Sequence, residues 1–202
     1  MRGKFIVIEG GSGSGKSTQI NLLKKKLKNG WKFYREPGST KFGEKVRDVV
    51  QGLHNYYVDE YAALFAYSAA RANLIRKIII PKLNKGINVI LDRYWYSTYA
   101  YQGNKVAKSE IDKVSRIATA NLKPDLVIYY DIDPEIGIKR KSKNKDVDRY
   151  DVRKLEFHKQ VRKNYLQLSK KLKNIWFTID GSEDTKTVEE ATLKALRKYK
   201  MI

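Results

Sequence analysis

The stretch Phe5-Ile6-Val7-Ile8-Glu9-Gly10-Gly11-Ser12-Gly13-Ser14-Gly15-Lys16-Ser17 decides the reading of this chain. Phe5–Ile8 is an apolar, largely β-branched run of the kind that forms a buried strand, and Gly10–Ser17 fits the spacing G-x-x-x-x-G-K-S. Glycines let backbone N–H groups converge on phosphate oxygens, and a helix starting near Lys16 adds the positive end of its dipole. In that geometry Lys16 reaches the β- and γ-phosphates and Ser17 ligates Mg²⁺. An ordinary Gly/Ser connection is the bland alternative, and the full motif between strand and helix outweighs it. The expected ligand is ATP or GTP with Mg²⁺.

Outward from this loop, short β-rich runs alternate with longer helical patterns. The expected strands are Phe5–Glu9, Trp31–Glu36, Ile87–Asp92, Leu126–Asp131 and Ile175–Asp180, each ending in an acidic residue. Most are largely apolar, as parallel strands covered on both faces are, and Trp31–Glu36 is the most polar. Helices are expected near 15–29, 41–52, 59–84, 94–120 with Gly103 as a candidate break, 134–142, 151–173 and 185–200. Such alternation gives an α/β doubly wound sheet of about five parallel strands flanked by helices, with ligands bound beyond the carboxyl ends of the strands. Residues 1–202 are expected to form a single domain.

Composition bounds the rest. The 202 residues carry 42 Lys and Arg against 22 Asp and Glu, a net charge of +20, and no cysteine. Disulfides, iron–sulfur clusters and cysteine zinc sites are therefore excluded. No uncharged stretch approaches the roughly 20 residues that span a bilayer, and no secretory leader is evident, so the expected location is the cytoplasm with no membrane partner. The charge is uneven: Lys139–Lys173 holds 14 Lys and Arg against 4 Asp and Glu. Within it, Lys139–Lys145 has no aliphatic residue to anchor a core and reads as a mobile basic segment.

Three clusters add to the phosphate loop. Asp92 closes a clean strand pattern, where its carboxylate would either organise the metal or cap the next helix. Arg35-Glu36-Pro37-Gly38-Ser39-Thr40 ends the second strand, with Glu44 and Arg47 on the helix that follows. Tyr67 and Arg71 share one helix face, as do Arg93, Ser97 and Tyr101. Alone, each has a structural reading as core or surface ion pair. Together they offer arginines for a second phosphate, a ring that can stack, and polar groups for a base.

At these residues the chain resembles the thymidylate kinase family, P-loop nucleoside monophosphate kinases that phosphorylate dTMP. The resemblance rests on Glu9–Gln19 through the P-loop, on Arg35–Thr40 with Gly43-Glu44 and Arg47, on the specific run Asp92-Arg-Tyr-Trp-Tyr-Ser-Thr-Tyr-Ala-Tyr-Gln-Gly103, and on Asp148-Arg149-Tyr150. It implies ATP as co-substrate, Mg²⁺ as cofactor and a homodimer, with a lid over about 139–150. Gly10, Gly11, Ser12, Gly13, Ser14, Gly15, Lys16, Ser17 and Thr18 would hold ATP, with Arg140 of the lid and Gly181 near the adenine. Ser17 and Asp92 would serve Mg²⁺. Tyr67 would stack on thymine, Arg71 would bond its carbonyl and Gln102 its polar edge. Arg47 and Arg93 would hold the acceptor phosphate, with Glu36, Pro37 and Ser97 lining the pocket. Tyr101 would crowd the 2′ side of the sugar. Lys16, Asp92, Arg93 and Arg149 would be catalytic. The chain departs from the family at Ser12, where many members carry an acidic residue that meets the sugar 3′-hydroxyl.

Two other classes compete. A deoxynucleoside kinase would share the P-loop but need a carboxylate base, for which Glu36 is the candidate. A nucleic-acid-binding P-loop protein would use the charge and the 14 tyrosines,. Half the excess charge lies where a lid is expected, so no nucleic-acid partner is expected.

Overall fold

The computed structural model describes residues 1–27, 29–142 and 148–202. Strand β1 (Phe5–Gly10) leads through the glycine-rich loop to helix α1 (Lys16–Lys26), and β2 (Trp31–Arg35) is followed by α2 (Lys41–Gln51). Helix α3 (Glu60–Leu74) runs through a π-helical turn, Ile75–Ile79, into α4 (Ile80–Asn84). Then come β3 (Asn88–Asp92), α5 (Trp95–Gln102), α6 (Lys108–Thr119), β4 (Leu126–Asp131), α7 (Pro134–Lys141), α8 (Leu155–Lys171), β5 (Trp176–Asp180) and α9 (Thr185–Lys198). The five expected strands are present within a residue or so at each end.

The sheet is parallel with strand order β2-β3-β1-β4-β5. Its order reverses at β1, which pairs with β3 on one side and β4 on the other, and that is where a crevice opens at the carboxyl edge of such sheets. The register places Ile8 beside Asp92 and Arg35 beside Asp92, so the expected site residues meet on one edge. Alternation along the strands sorts the core into two layers. Phe5, Val7, Val89, Leu91, Val127 and Tyr129 pack with Leu64, Leu74, Tyr94 and Tyr165 of the helices on one face. Ile6, Ile8, Ile90, Leu126, Ile128 and Tyr130 pack with Ile20, Leu23 and Leu196 on the other. The polar composition of β2 follows from its position at the edge of the sheet, where only Trp31 is buried.

Two expectations are corrected. The 59–84 pattern is not one regular helix. Pro81 has no N–H and its ring clashes with the carbonyl four residues earlier, so the chain widens into a π-turn just before it,. Lys139–Lys141 is not loose: it is the last turn of α7, where three cations complement the negative end of the helix dipole,. The remainder of the basic segment, 143–147, lies outside the described residues. Next to Trp95, Tyr96 is buried edge-on against Trp176, 5.6 Å between ring centres. Among the described residues, no helix is long and apolar enough to cross a membrane.

Candidate active site

A cleft of about 700 Å³ opens over the carboxyl edge of the sheet, with the phosphate loop as its floor. Gly13 occupies the left-handed region, φ 67°, and a Cβ there would lie 2.0 Å from the carbonyl oxygen of Gly137. A side chain at Gly137 would in turn strike the Ser12 carbonyl at 2.5 Å. The loop therefore touches α7 backbone to backbone. Lys16 curls into the loop and donates to the carbonyls of Gly10 and Gly11 at 3.0 and 3.2 Å. Burial, assisted by the neighbouring Arg93, pushes its ammonium down to about 7, against the pull of Asp92, Glu9 and Asp151.

Beside the loop, Glu9 is fully buried at the end of β1 and accepts from Tyr94 N, Ser97 Oγ and Tyr165 Oη at 2.8, 2.7 and 2.9 Å. Burial raises its pKa, with Arg93 and the three donors opposing. The contacts hold the turn after β3, in which Arg93 takes φ 67°. Arg93 donates to Gly10 O at 3.2 Å and Ser97 Oγ at 3.0 Å and lies over the Tyr101 ring, 5.3 Å from its centre. Asp92 presents a buried Oδ1 without a hydrogen-bond partner, and Ser17 lines the same cleft. Among the described residues no group of three or more carboxylates or histidines converges as a metal cage. One carboxylate and one hydroxyl suit a Mg²⁺ ion whose remaining ligands are phosphate oxygens and water.

The far half of the cleft is lined by arginines, aromatic rings and side-chain amides. Arg71 Nε bonds Glu36 Oε2 at 2.6 Å in a pair whose two side chains are each 4% exposed, and Arg71 Nη2 bonds Thr98 Oγ1 at 3.1 Å. Burial pushes the Glu36 carboxyl up to about 7, with Arg71 opposing. Tyr67 is buried with its hydroxyl 3.2 Å from that of Tyr150. Arg47 donates to Pro37 O at 3.3 Å, and Gln102 donates to Glu60 O at 2.8 Å. Buried polar atoms are nearly always partnered. Here Glu36 Oε1, Gln51 Oε1, Arg71 Nη1, Asp92 Oδ1 and Gln102 Oε1 all lack a partner and all belong to residues on this cleft wall.

At the opposite end, the Arg140 guanidinium donates to the carbonyls of Gly181 and Ser182 at 2.5 and 2.6 Å, joining α7 to the loop after β5. Gly181 N donates to Asp131 O at 2.6 Å. The wall here includes Ser12, Ser14, Thr18 and Gly181.

The fold thus gathers the expected residues on one wall, with two differences. Gly10 contributes through its carbonyl. Arg149, expected among the catalytic residues, is held behind the cleft wall and does not line it: it donates to Tyr150 Oη at 2.9 Å and Val58 O at 3.4 Å. Asp148 Oδ1 accepts from Tyr150 N and Asp151 N at 2.8 and 3.0 Å; this tight turn brings Tyr150 and Asp151 to the cleft, and the Arg149 guanidinium lies over the Tyr150 ring with its side chain 19% exposed. Sequence reasoning missed Glu9, Asp151 and Tyr165 as site residues. Glu9 carried a signal, a carboxylate ending a strand apolar on both faces; Tyr165 was indistinguishable from a core position of its helix.

Comparison with known proteins gives concordant results. The sequence model of one protein family, described as Thymidylate kinase, matches residues 8–192. A thymidylate kinase of Caldanaerobacter subterraneus subsp. tengcongensis is 40% identical over 204 residues, covering 98% of this chain and 97% of its own. One from Francisella tularensis subsp. holarctica is 41% identical over 207 residues, covering 98% of each. The crystal structure of thymidylate kinase from Ehrlichia chaffeensis superposes with a TM-score of 0.78 at 29% identity, covering 97% of this chain and 99% of that one.

Proposed function

The chain belongs to the thymidylate kinase family and is an ATP-dependent kinase of dTMP, and from that premise we propose how its cleft performs the transfer. The reaction is ATP + dTMP → ADP + dTDP. A phosphate oxygen of dTMP attacks the γ-phosphorus, and the bond from that phosphorus to the β,γ-bridging oxygen breaks, its electron pair leaving with ADP. The attacking oxygen is already anionic, so no strong general base is needed, and positioning and charge neutralisation supply the catalysis.

In this reading the P-loop amides and Lys16 cradle the donor phosphates, and Arg140 holds the loop at Gly181 against which the adenine lies. Arg47 and Arg93 offset repulsion between the two anionic substrates. Tyr67 stacks on thymine, Arg71 Nη1 and Gln102 take its polar edge, and Glu36 fixes Arg71. Mg²⁺, held by Ser17, Asp92 and the phosphates, supplies charge neutralisation when bound.

The single observation that carries this assignment is the group of unpartnered buried polar atoms on the wall away from the P-loop, Glu36 Oε1, Gln51 Oε1, Arg71 Nη1 and Gln102 Oε1, where a planar base finds both a donor and acceptors. It is tested by coupled ADP-release assays over a panel of nucleosides and monophosphates, with Tyr67→Ala alongside wild type. We expect dTMP to be the preferred acceptor. The variant should raise KM for dTMP about 10- to 100-fold, the scale of one stacked base, and leave KM for ATP nearly unchanged. Thymidine as sole acceptor, or equal losses for both substrates, overturns the reading.

We also propose a homodimer. Phe42 and Val49 of α2, Phe65 of α3 and Ile117 of α6 are 47%, 50%, 58% and 73% exposed, on three helices of which α3 packs against both of the others, and a second copy would cover them. Light scattering that returns the mass of one chain at micromolar concentration would remove this proposal.

A further inference from the structure

Glu60 opens α3, and Tyr67 and Arg71 follow it at intervals of seven and four residues, so all three lie along one stripe of that helix,. Tyr67 and Arg71 line the cleft, whereas Glu60 sits behind its wall with a side chain 19% exposed. There it engages an amide. Gln102, the last residue of α5, is fully buried, and its Nε2 donates to Glu60 O at 2.8 Å and to Glu60 Oε2 at 3.3 Å. Arg149 brings a cation to the same carboxylate, with Nη2 4.0 Å from Oε2.

A primary amide has two unlike ends: its nitrogen carries two donors and its oxygen only accepts. Both oxygens that receive the Nε2 hydrogens belong to Glu60. Turned over, the amide would set Oε1 against a carbonyl and a carboxylate oxygen with no hydrogen between them. The orientation is thus fixed, and it leaves Oε1 as an unpartnered buried atom of a residue on the cleft wall. The donor on this wall is fixed in the same manner. Arg71 spends Nε on Glu36 and Nη2 on Thr98, and its Nη1 has no partner. The wall therefore presents an acceptor and a donor of settled sign. Thymine and uracil offer N3–H beside the O4 carbonyl, which matches. Cytosine offers the reverse, an N3 lone pair beside the N4 amine.

We propose that Glu60 is a positioning residue that sets base specificity: it holds the Gln102 amide oxygen toward the cleft, so that a 4-keto pyrimidine monophosphate is accepted and a 4-amino one refused. The inference rests on the dTMP kinase reading above and adds to it a residue behind the wall, acting through Gln102. Refusal comes from setting like against like in a buried site. An amide free to turn over would escape that cost, and the Glu60 carboxylate keeps it from turning.

The test measures kcat and KM for dTMP and dUMP, and the inhibition constant of dCMP competing with dTMP. The proteins are wild type, Glu60→Gln, Glu60→Ala, Gln102→Met and the double variant Glu60→Gln/Gln102→Met. Glu60→Gln keeps the size of the side chain but lets it donate to Oε1 as well as accept from Nε2, so the Gln102 amide gains its second orientation. With the two orientations populated about equally, KM for dTMP and for dUMP should rise together about twofold, and dCMP should bind about tenfold tighter, as the fraction competent for each base dictates. KM for ATP should not change. Glu60→Ala removes the carboxylate and leaves the carbonyl, and should move dCMP in the same direction by a smaller factor.

Gln102→Met has no amide to orient, so adding Glu60→Gln to it should leave the ratio of dTMP to dCMP affinity where Gln102→Met alone puts it. A further change of that ratio in the double variant would show that Glu60 does not act through Gln102. A merely structural Glu60 would weaken dTMP, dUMP and dCMP alike. Either result overturns the proposal, as does a dCMP constant within twofold of wild type in the folded Glu60 variants; Glu60→Ala reads the same tie if Glu60→Gln does not fold. Wild type that fails to phosphorylate dTMP would instead defeat the function proposed above, so the two failures are distinguishable.

Discussion

Replacing Lys16 by methionine is expected to lower turnover about a thousandfold, the upper range for losing one preorganised donor at developing charge, while leaving the fold intact. The thioether matches the length of the lysine stem, and the lysine's hydrogen bonds in the empty cleft are to two carbonyls of its own loop. Burial already opposes its charge, holding it near 7 against an ordinary value of 10.5. The sign of the linkage follows. Between about 7 and 10.5 the unfolded chain binds a proton at Lys16 that the folded, empty protein does not, so this group's stability contribution rises with pH across that window and is least favourable below it,. Below pH 7 the ligand-free Lys16→Met protein should therefore melt no lower than wild type, and polyphosphate binding should restore the charge. At pH 8.5 nucleotide binding should take up close to one proton at Lys16, at pH 6 none, and in Lys16→Met none at either. Calorimetry in buffers of different ionisation enthalpy reads this directly. A variant with turnover within tenfold of wild type would dismiss the role given to Lys16.

The second large effect is on stability. Arg71→Leu strands the Glu36 carboxyl in a site where both partners are 4% exposed, and loss of one member of such a pair costs about 3–5 kcal/mol,. Glu36 already titrates near 7 with Arg71 beside it, above its ordinary 4.5. A raised carboxyl favours the folded state most at low pH, and that contribution is lost as pH climbs from about 4.5 to the folded value. Without the guanidinium the folded value rises further and the loss continues to higher pH. The melting temperature of Arg71→Leu should therefore fall most at pH 8, recover substantially toward pH 5, and recover at pH 8 when Glu36→Gln is added. KM for dTMP should rise in both variants, because neither restores Nη1 to the cleft. A melting temperature within a degree or two of wild type at pH 8 would show that Glu36 does not depend on this pair.

The residues that sequence reasoning found and those it missed differ in a physical way. The P-loop, Asp92, Arg93, Tyr67 and Arg71 were legible because local patterns carry them: a loop spacing, a strand end, a helix face. The strands were legible because burial on both faces demands continuous apolar runs. Glu9 and Asp151 act through partners far along the chain, Tyr165 and Ser12 respectively, and pairing over such distances leaves no mark in local periodicity. Arg149 lies behind the cleft wall for the converse reason: a basic residue beside an aromatic one reads locally as a phosphate ligand, but here the guanidinium is laid over the Tyr150 ring and bonded to its hydroxyl. The basic composition of 139–141 suggested disorder only because helix stability there comes from the Asp133 cap and dipole complementarity, not from apolar spacing,.

The π-turn before Pro81 also sets an angular phase. One extra residue in a turn rotates everything upstream by about 100° relative to everything downstream. Downstream, Leu83 is committed to the core packed on the sheet; upstream, Tyr67 and Arg71 look into the cleft. A single helical rod thus serves two directions that a regular helix could not serve together. Its tolerance is correspondingly lopsided: an exposed position such as Lys77 can change identity freely, whereas the number of residues between Arg71 and Leu83 is fixed. Removing one would perfect the helix and swing Tyr67 and Arg71 out of alignment with the phosphate loop.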